Sequence, residues 1–149
     1  MDLVQILRGV DLFQGLNPEQ LRRLADISHR AVYRSDDVIF SQGSVGDKLY
    51  IIADGQVEIR FSDADGSDHA VLFLGSGQIF GEMALLDQGK RSATVAAVQD
   101  NTIVYGMARD EFEALCLADT SIGYVMMRNM ALDLSFKLRH KNLDPSTDL

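Results

Sequence analysis

Apolar residues are spaced in two different ways along the chain, at helical intervals near its ends and in short runs through its middle. Near the N-terminus, residues 3–8 predict a short helix and GLNPEQLRRLADISHR predicts a second one. In the second stretch Asn17 is a typical N-cap, Pro18 fits the first helical position, and Gln20 lies three residues after the cap. The pattern therefore predicts N-terminal helices within residues 1–30.

The middle of the chain, residues 31–108, has a residue pattern that is typical of a β-sheet protein. β-Branched and aromatic residues concentrate in short runs, separated by turn-type sequence such as QGSVGD, DG and DADGSD. The runs are VIF (38–40), KLYIIA (48–53), QVEIRF (56–61), AVLFL (70–74), SATVAAV (92–98) and TIVYGM (102–107). Many short strands without long helices between them predict a mainly β fold, an antiparallel β-barrel of the jelly-roll type with flanking helices.

Helical spacing returns after residue 108. RDEFEALC (109–116) predicts one helix, and a longer one is expected from Thr120. The longer helix carries an apolar stripe at intervals of four residues: Ile122, Met126, Met130, Leu134 and Leu138. This stripe could lie on the barrel, on a second copy of the chain, or on both. We expect one domain over residues 1–141, ending in two helices within 109–141, and a flexible tail over 142–149.

Composition and charge narrow the class of protein. The 149 residues are 46% hydrophobic and 24% charged, as in ordinary soluble globular proteins. The net charge of -8 argues against nucleic-acid binding by this chain alone, so a bound anion would need a local, preorganised site. The single cysteine excludes an intramolecular disulfide. Since there is also no signal peptide and no apolar run near the roughly 18 residues of a membrane span, we expect a cytoplasmic protein with no membrane partner.

No catalytic or metal site is predicted. His29, His69 and His140 are scattered along the chain without Cys or carboxylate residues at ligand spacing. No group of nucleophile, base and orienting residue is evident either. We therefore expect a protein that is not an enzyme and that holds neither a metal nor a cofactor.

Residues 80–95, FGEMALLDQGKRSATV, carry the candidate binding chemistry. A strand-like Ile-Phe pair precedes Gly81, and EMALLDQ predicts a helix of one to two turns whose first N–H groups lack partners within the helix. Small residues would let an anion approach this backbone, and the forked guanidinium of Arg91 follows shortly after it. Together these features predict a cradle for one phosphate group.

Glu82 lies too close to that cradle to bind phosphate itself, and an acceptor there suits a ligand hydroxyl such as a ribose 2′-OH. A phosphate and a sugar hydroxyl on one rigid ring indicate a cyclic nucleotide. The alternative is that Glu82 and Arg91 form an ion pair with each other and brace a loop.

The same stretch resembles the phosphate-binding cassette of cyclic nucleotide-binding domains, the family of the catabolite activator protein and the kinase regulatory subunits. The positions that match are Phe80, Gly81, Glu82, Ala84, Leu85, Arg91, Ser92, Ala93, Thr94 and Val95. The resemblance extends to VDLFQGLNPEQLRRLA, to IFSQGSVGDKLYIIADG with its glycines at 43 and 55, to Gly77 and to the tandem C-terminal helices. It therefore covers most of the chain, with its motifs in the family's order.

The resemblance assigns roles to individual residues. It implies that Glu82 accepts the ribose 2′-OH, and that Arg91 clamps the cyclic phosphate. The phosphate shell would be completed by backbone N–H groups of Gly81, Ala84 and Ser92 or Ala93. The cavity around base and sugar would be lined by Phe40, Ile59, Val71, Phe73 and Met83.

The family closes its pocket with a residue of the last helix, and this implies a lid between Leu134 and Leu138. The lid candidates are Leu134, Phe136, Lys137 and Leu138. For Lys137 the simpler interpretation is a solvated surface lysine. The resemblance also implies that this helix swings onto the base, so that residues 109–141 would be the element that switches.

The sequence thus predicts a cyclic nucleotide receptor, and cyclic AMP or cyclic GMP is the expected ligand. We favour cyclic AMP on general expectation alone, because a residue such as Ser92 occurs in binders of either nucleotide. Two alternatives stay open: an interaction module of the same fold that binds no nucleotide, and the sensor half of a truncated transcription regulator. A homodimer through the C-terminal helix is a further expectation.

Overall fold

Two short helices precede the first strand in the computed structural model, which describes residues 2–140 apart from the side chains of Asp68, Ala70 and Val71. Helix α1 (Leu3–Arg8) and helix α2 (Pro18–Asp26) are joined through a 3-10 turn at Asp11–Phe13. Both helices begin in a capping box, in which a side-chain acceptor and the residue three positions later satisfy each other's backbone N–H.

The α2 capping box confirms the predicted roles of its residues. The Asn17 side chain accepts from the Gln20 N–H, and the Gln20 side chain accepts from the Asn17 N–H, at 2.8 and 2.9 Å. The predicted helical region, residues 1–30, is wrong at its C-terminal end. Strand β1 (Ser28–Tyr33) begins two residues after α2 ends, because Ser28 to Tyr33 pair in antiparallel register with the last strand of the structure.

Seven more strands follow β1, and every strand pair is antiparallel. They are β2 (Val38–Phe40), β3 (Lys48–Asp54), β4 (Gln56–Ser62), β5 (Asp68–Gly75), β6 (Ile79–Phe80), β7 (Thr94–Ala97) and β8 (Thr102–Ala108). The strands form two four-stranded sheets, in the orders β1-β8-β3-β6 and β2-β7-β4-β5. The predicted jelly-roll architecture is confirmed, as two facing sheets; among the described strands no pairing closes them into one barrel.

Two hydrophobic clusters hold these layers together. One lies between the two sheets and includes Ile52, Ile59 and Phe80. The other lies between the helices and the outer side of the first sheet, where Leu49 and Ile51 of β3 meet helical residues. Strand β3 therefore serves both clusters, with alternate residues on its two faces.

The two predicted C-terminal helices are present as α3 (Arg109–Ala118) and α4 (Thr120–Arg139). Asp119 caps α4 by accepting from the N–H groups of Ser121 and Ile122. The predicted apolar stripe divides into two parts: Ile122, Met126 and Met130 are buried in the helical cluster, whereas Leu138 is 68% exposed. Residue 141 and the predicted tail, 142–149, lie outside the described residues. None of the described helices is both long and apolar enough to span a membrane.

Candidate functional site

The segment between β6 and β7 positions the candidate site. Gly81 follows β6 with a left-handed backbone (φ 77°), and a 3-10 turn at Glu82–Leu85 comes next. The predicted helix of one to two turns is present as a single 3-10 turn: the Ala84 N–H donates to the Gly81 carbonyl at 3.2 Å, and the turn ends after four residues. Ala84 and Leu85 are both buried, which anchors this turn against the core.

Arg91 is a buried cation that has no carboxylate partner among the described residues. Its Nη2 donates to the carbonyl of Lys48 at 2.8 Å, and its Nη1 makes a longer bond of 3.4 Å to the carbonyl of Gly81. Its guanidinium carbon lies 4.0 Å from the centre of the Phe40 ring, a cation–π contact. The buried Nε has no partner among the described atoms. The side chain is thus fixed in place while part of its donor capacity is unused.

Burial lowers the pKa of Arg91, and the nearby Tyr50 and Asp47 partly oppose this shift. An arginine starts so far above neutral pH that it stays protonated in a protein, so the site carries a full positive charge. Because no described carboxylate neutralises this charge at close range, the site favours an anionic ligand.

Two glycines allow the guanidinium to lie this deep. A Cβ on Gly81 would lie 2.5 Å from Nη1 of Arg91, and a Cβ on Gly46 would lie 2.8 Å from its Nε. Neither position could hold a side chain without moving Arg91. The sequence reasoning found Gly81 but missed Gly46, although it belongs to the same glycine-rich turn, QGSVGD, that marked this region.

Arg91 opens onto a cavity of about 250 Å³, which we call the Arg91 cavity. Three of the predicted lining residues are on it: Phe40, Ile59 and Met83. The residues predicted to offer backbone N–H groups also line it, namely Gly81, Ala84, Ser92 and Ala93. The cavity is slightly smaller than the roughly 300 Å³ at the lower end of ligand pockets, so it would hold only part of a nucleotide.

Phe73 does not line this cavity, contrary to the prediction. It is 52% exposed, while Leu74 beside it is buried and Leu72 packs into the cluster between the sheets. Since side chains alternate along a strand, Phe73 lies on the outer face of β5. The side chain of Val71, the other lining residue predicted on this strand, lies outside the described residues.

Glu82 is turned away from Arg91. Its Oε1 accepts a hydrogen bond from Nζ of Lys137 on α4 at 2.8 Å, and the same ammonium lies 3.1 Å from Oδ2 of Asp133. Glu82 and Arg91 form no ion pair in the described structure, so the alternative of a Glu82–Arg91 brace is wrong.

Glu82 lines a second cavity of about 570 Å³, which we call the α4 cavity. Its walls come from the N-terminal helical region, the turn before β6 and helix α4: Gly9, Val10, Asp11, Leu12, Gly77, Gln78, Ile79, Glu82, Asn129, Leu132 and Asp133. The two residues on which the sequence prediction rested therefore lie on different cavities.

Among the four lid candidates, Lys137 alone forms a described ion pair with the cassette. Its side chain is only 20% exposed, so the interpretation as a solvated surface lysine is wrong. Burial alone would lower its pKa, but the ion pairs with Glu82 and Asp133 outweigh that effect and raise it. Phe136 and Leu138 are 60% and 68% exposed, and Leu134 and Leu138 line a shallow depression elsewhere on α4. None of the four lines the Arg91 cavity as described.

Comparison with known proteins finds a matching family and similar sequences. Residues 30–119 match the family described as the cyclic nucleotide-binding domain. The chain is 33% identical over 138 residues to the Cyclic AMP receptor protein of Thermus thermophilus, covering 93% of this chain and 62% of that protein. It is 37% identical over 91 residues to a cAMP-dependent protein kinase regulatory subunit of Blastocladiella emersonii, covering 61% of this chain and 23% of that protein.

A solved structure shows the same fold. The crystal structure of Thermus thermophilus Catabolite Activator Protein superposes with a TM-score of 0.79 at 34% identity, over 89% of this chain and 60% of that one. The chain thus spans less than two thirds of the length of these relatives.

Proposed function

Because the chain belongs to the cyclic nucleotide-binding domain family, we propose that it is a receptor in which Arg91 binds the cyclic phosphate and Glu82 accepts the ribose 2′-OH. One observation carries the proposal: a buried guanidinium, without a described carboxylate partner, lines a cavity of suitable chemistry. Phosphate oxygens would satisfy the donors that Lys48 and Gly81 leave unused. A buried donor without a partner costs about 1–3 kcal/mol, so such a ligand gains from pairing it.

The rest of the Arg91 cavity suits a cyclic phosphate joined to a sugar. Ser92 and Ala93 would add backbone N–H groups, and Phe40, Ile59 and Met83 would contact the sugar and base. The Ala84 N–H already donates to Gly81, so it could reach the phosphate only if that bond opens.

We assign cyclic AMP ahead of cyclic GMP as the ligand. The relatives named above support this choice, since one is named a cyclic AMP receptor and the other a cAMP-dependent kinase subunit. The small Arg91 cavity would hold the phosphate and sugar, so the base would lie towards the last helix, and α4 would close over it as the switch.

Titration calorimetry tests this function. The parent protein should bind cyclic AMP with micromolar or tighter affinity, and Arg91→Ala should lose about 2–5 kcal/mol of it, roughly a 30-fold to several-thousand-fold weakening. Arg23→Ala is the matched control, because Arg23 is 49% exposed on α2 and pairs with Asp119. Absence of binding to both cyclic nucleotides, or an Arg91→Ala variant that binds like the parent, would overturn the proposal.

A second candidate function is an interaction module that binds no nucleotide. The ion pair between Glu82 and Lys137 favours it, because the carboxylate meant for the ribose already has a partner. In that case both nucleotides would leave the melting temperature of the folded protein unchanged.

We also propose that α4 mediates a homodimer, as it could in the sensor half of a larger regulator. Solvent-accessible apolar residues follow one another along α4 at intervals of three and four, which is the spacing of a coiled-coil seam: Tyr124, Met127, Ala131, Leu134 and Leu138. Sedimentation analysis should find a dimer that Leu138→Glu converts to monomer. A monomeric parent protein at high concentration would refute it.

A further inference from the structure

The cassette and the last helix are joined by one short ion pair. Glu82 and Lys137 lie 55 positions apart in the sequence, yet their side chains meet at 2.8 Å and are only 15% and 20% exposed. A pair this far withdrawn from water is costly to break from one side, because the remaining charge would be left buried and unpaired. The ion pair therefore helps to fix the positions of the Glu82 and Lys137 side chains.

Lys137 is itself held in position by α4. Asp133, one turn earlier on the helix, lies 3.1 Å from the same ammonium, so Lys137 sits between two carboxylates. The raised pKa of Lys137 keeps the ammonium charged at neutral pH. The cation is thus a fixed feature of this face of α4.

The ion pair also attaches the part of α4 that has no buried residues. The buried residues of α4 are Ile122, Met126 and Met130, and none of its described residues beyond Met130 is buried. The last turns of the helix consequently depend on polar contacts for their position against the cassette.

Glu82 lies on the α4 cavity and is not among the described residues that line the Arg91 cavity. We propose that Lys137 is a positioning residue that holds Glu82 away from the Arg91 cavity. A ribose 2′-OH must displace Lys137 from Glu82, and this breaks the ion pair that fixes the end of α4, so that the helix can move onto the base. This inference rests on the proposed function, since it takes Glu82 as the ribose acceptor. According to this proposal, the sugar hydroxyl is the part of the ligand through which binding acts on α4.

The test compares cyclic AMP with 2′-deoxy cyclic AMP by calorimetry, on the parent protein and on Lys137→Met. Methionine keeps an apolar stem and removes the charge, so Glu82 loses the partner with which the hydroxyl competes. We expect Lys137→Met to bind cyclic AMP about 5- to 10-fold more tightly than the parent protein. The 2′-deoxy analogue, which does not engage Glu82, should bind both proteins within about 2-fold.

Two control variants separate this effect from a general change in charge or packing. Arg139→Met removes an exposed cation from the same end of α4 and should leave both affinities unchanged. Lys137→Arg keeps the charge and should behave like the parent protein. If Lys137→Met does not fold, Lys137→Gln provides the same comparison.

The outcomes distinguish the two proposals. Weaker or unchanged binding of cyclic AMP by Lys137→Met, or an equal gain for both analogues, would overturn the role of Lys137 while leaving an Arg91-dependent receptor intact. A parent protein that binds neither cyclic AMP nor cyclic GMP would overturn the receptor and this inference together.

Discussion

Gly46→Ala tests whether ligand binding depends on the position of the Arg91 guanidinium. The added Cβ would lie 2.8 Å from Nε of Arg91, 2.9 Å from Cζ and 3.1 Å from Cδ. Ordinary contacts between such atoms are about 3.5–4.0 Å, so the guanidinium has to move by roughly 1 Å. Gly46 has no left-handed backbone angle, which means that the collision with Arg91 is the main cost of the substitution.

The size of the effect follows from the donor that this movement takes away from the ligand phosphate. Nη2 of Arg91 would leave the Lys48 carbonyl, now 2.8 Å away, and would present its donors to the cavity at the wrong angle. Loss of one hydrogen bond between the guanidinium and the ligand phosphate costs about 1.5–3 kcal/mol, which predicts a loss of cyclic AMP affinity of about 10- to 150-fold.

Calorimetry of folded Gly46→Ala checks the expected loss, with Gly75→Ala as its control. Gly75 also has no left-handed backbone angle, but a Cβ there would have its nearest neighbour at 3.8 Å, so this variant should bind like the parent protein. If Gly46→Ala keeps the parent affinity, the position of Arg91 does not govern binding and the argument from its burial fails.

Three further predictions follow from other contacts. Phe40→Leu removes the ring 4.0 Å from Arg91. A cation–π contact of about 0.5–2 kcal/mol that positions Arg91 predicts a loss of cyclic AMP affinity of about 2- to 30-fold in calorimetry, and unchanged affinity would contradict this role of Phe40. Asn17→Ala removes the α2 cap and should lower the free energy of unfolding in urea by about 0.5–2 kcal/mol, with nucleotide affinity unchanged. The ion pairs of Lys137 raise its pKa above the unfolded value, so the stability that they add is fully present below that value, near pH 10.4, and is lost as the pH rises through the folded pKa. Between about pH 8 and pH 11 the free energy of unfolding should therefore fall less in Lys137→Met than in the parent protein.

The strands could be predicted from the sequence where turn residues bound them on both sides. The run VIF was predicted with the bounds that the structure gives β2, and TIVYGM was predicted within one residue of β8. Strand β1 was missed at its start because a single residue, Ile27, separates it from α2, and because His29 and Arg30 at its beginning are polar and exposed. A local pattern gives no boundary when two elements follow one another so directly.

The site could be predicted where it depends on neighbours in the sequence. The spacing of the cassette was enough to select Arg91, and its burial over Phe40 agrees with that choice. The error at Phe73 has a geometric cause: every residue of the run AVLFL is apolar, so the sequence does not show which alternate residues face the core. The structure places Leu72 and Leu74 there, which leaves Phe73 on the outer face.

The partner of Glu82 could not be predicted, because it depends on how α4 is rotated against the cassette.

Arg91 and Glu82 are held by different parts of the fold, and this difference affects how the site could work. Arg91 is held by parts of the two sheets and the loops between them, through the carbonyls of Lys48 and Gly81 and the ring of Phe40. Glu82 is held by a helix whose end is attached mainly by polar contacts.

A ligand that engages both residues would therefore join a rigid anchor to a movable one. A protein can respond to a ligand only if its two states differ in affinity for that ligand, and such a difference can arise at Glu82 because its partner belongs to α4, the proposed switch element. Binding at Arg91 alone would supply affinity without any reason for α4 to move. We infer that phosphate recognition and signalling are separable in this domain. Hydrogen exchange along α4 should accordingly change with saturating cyclic AMP and stay unchanged with saturating 2′-deoxy cyclic AMP, and equal changes with the two ligands would refute this division.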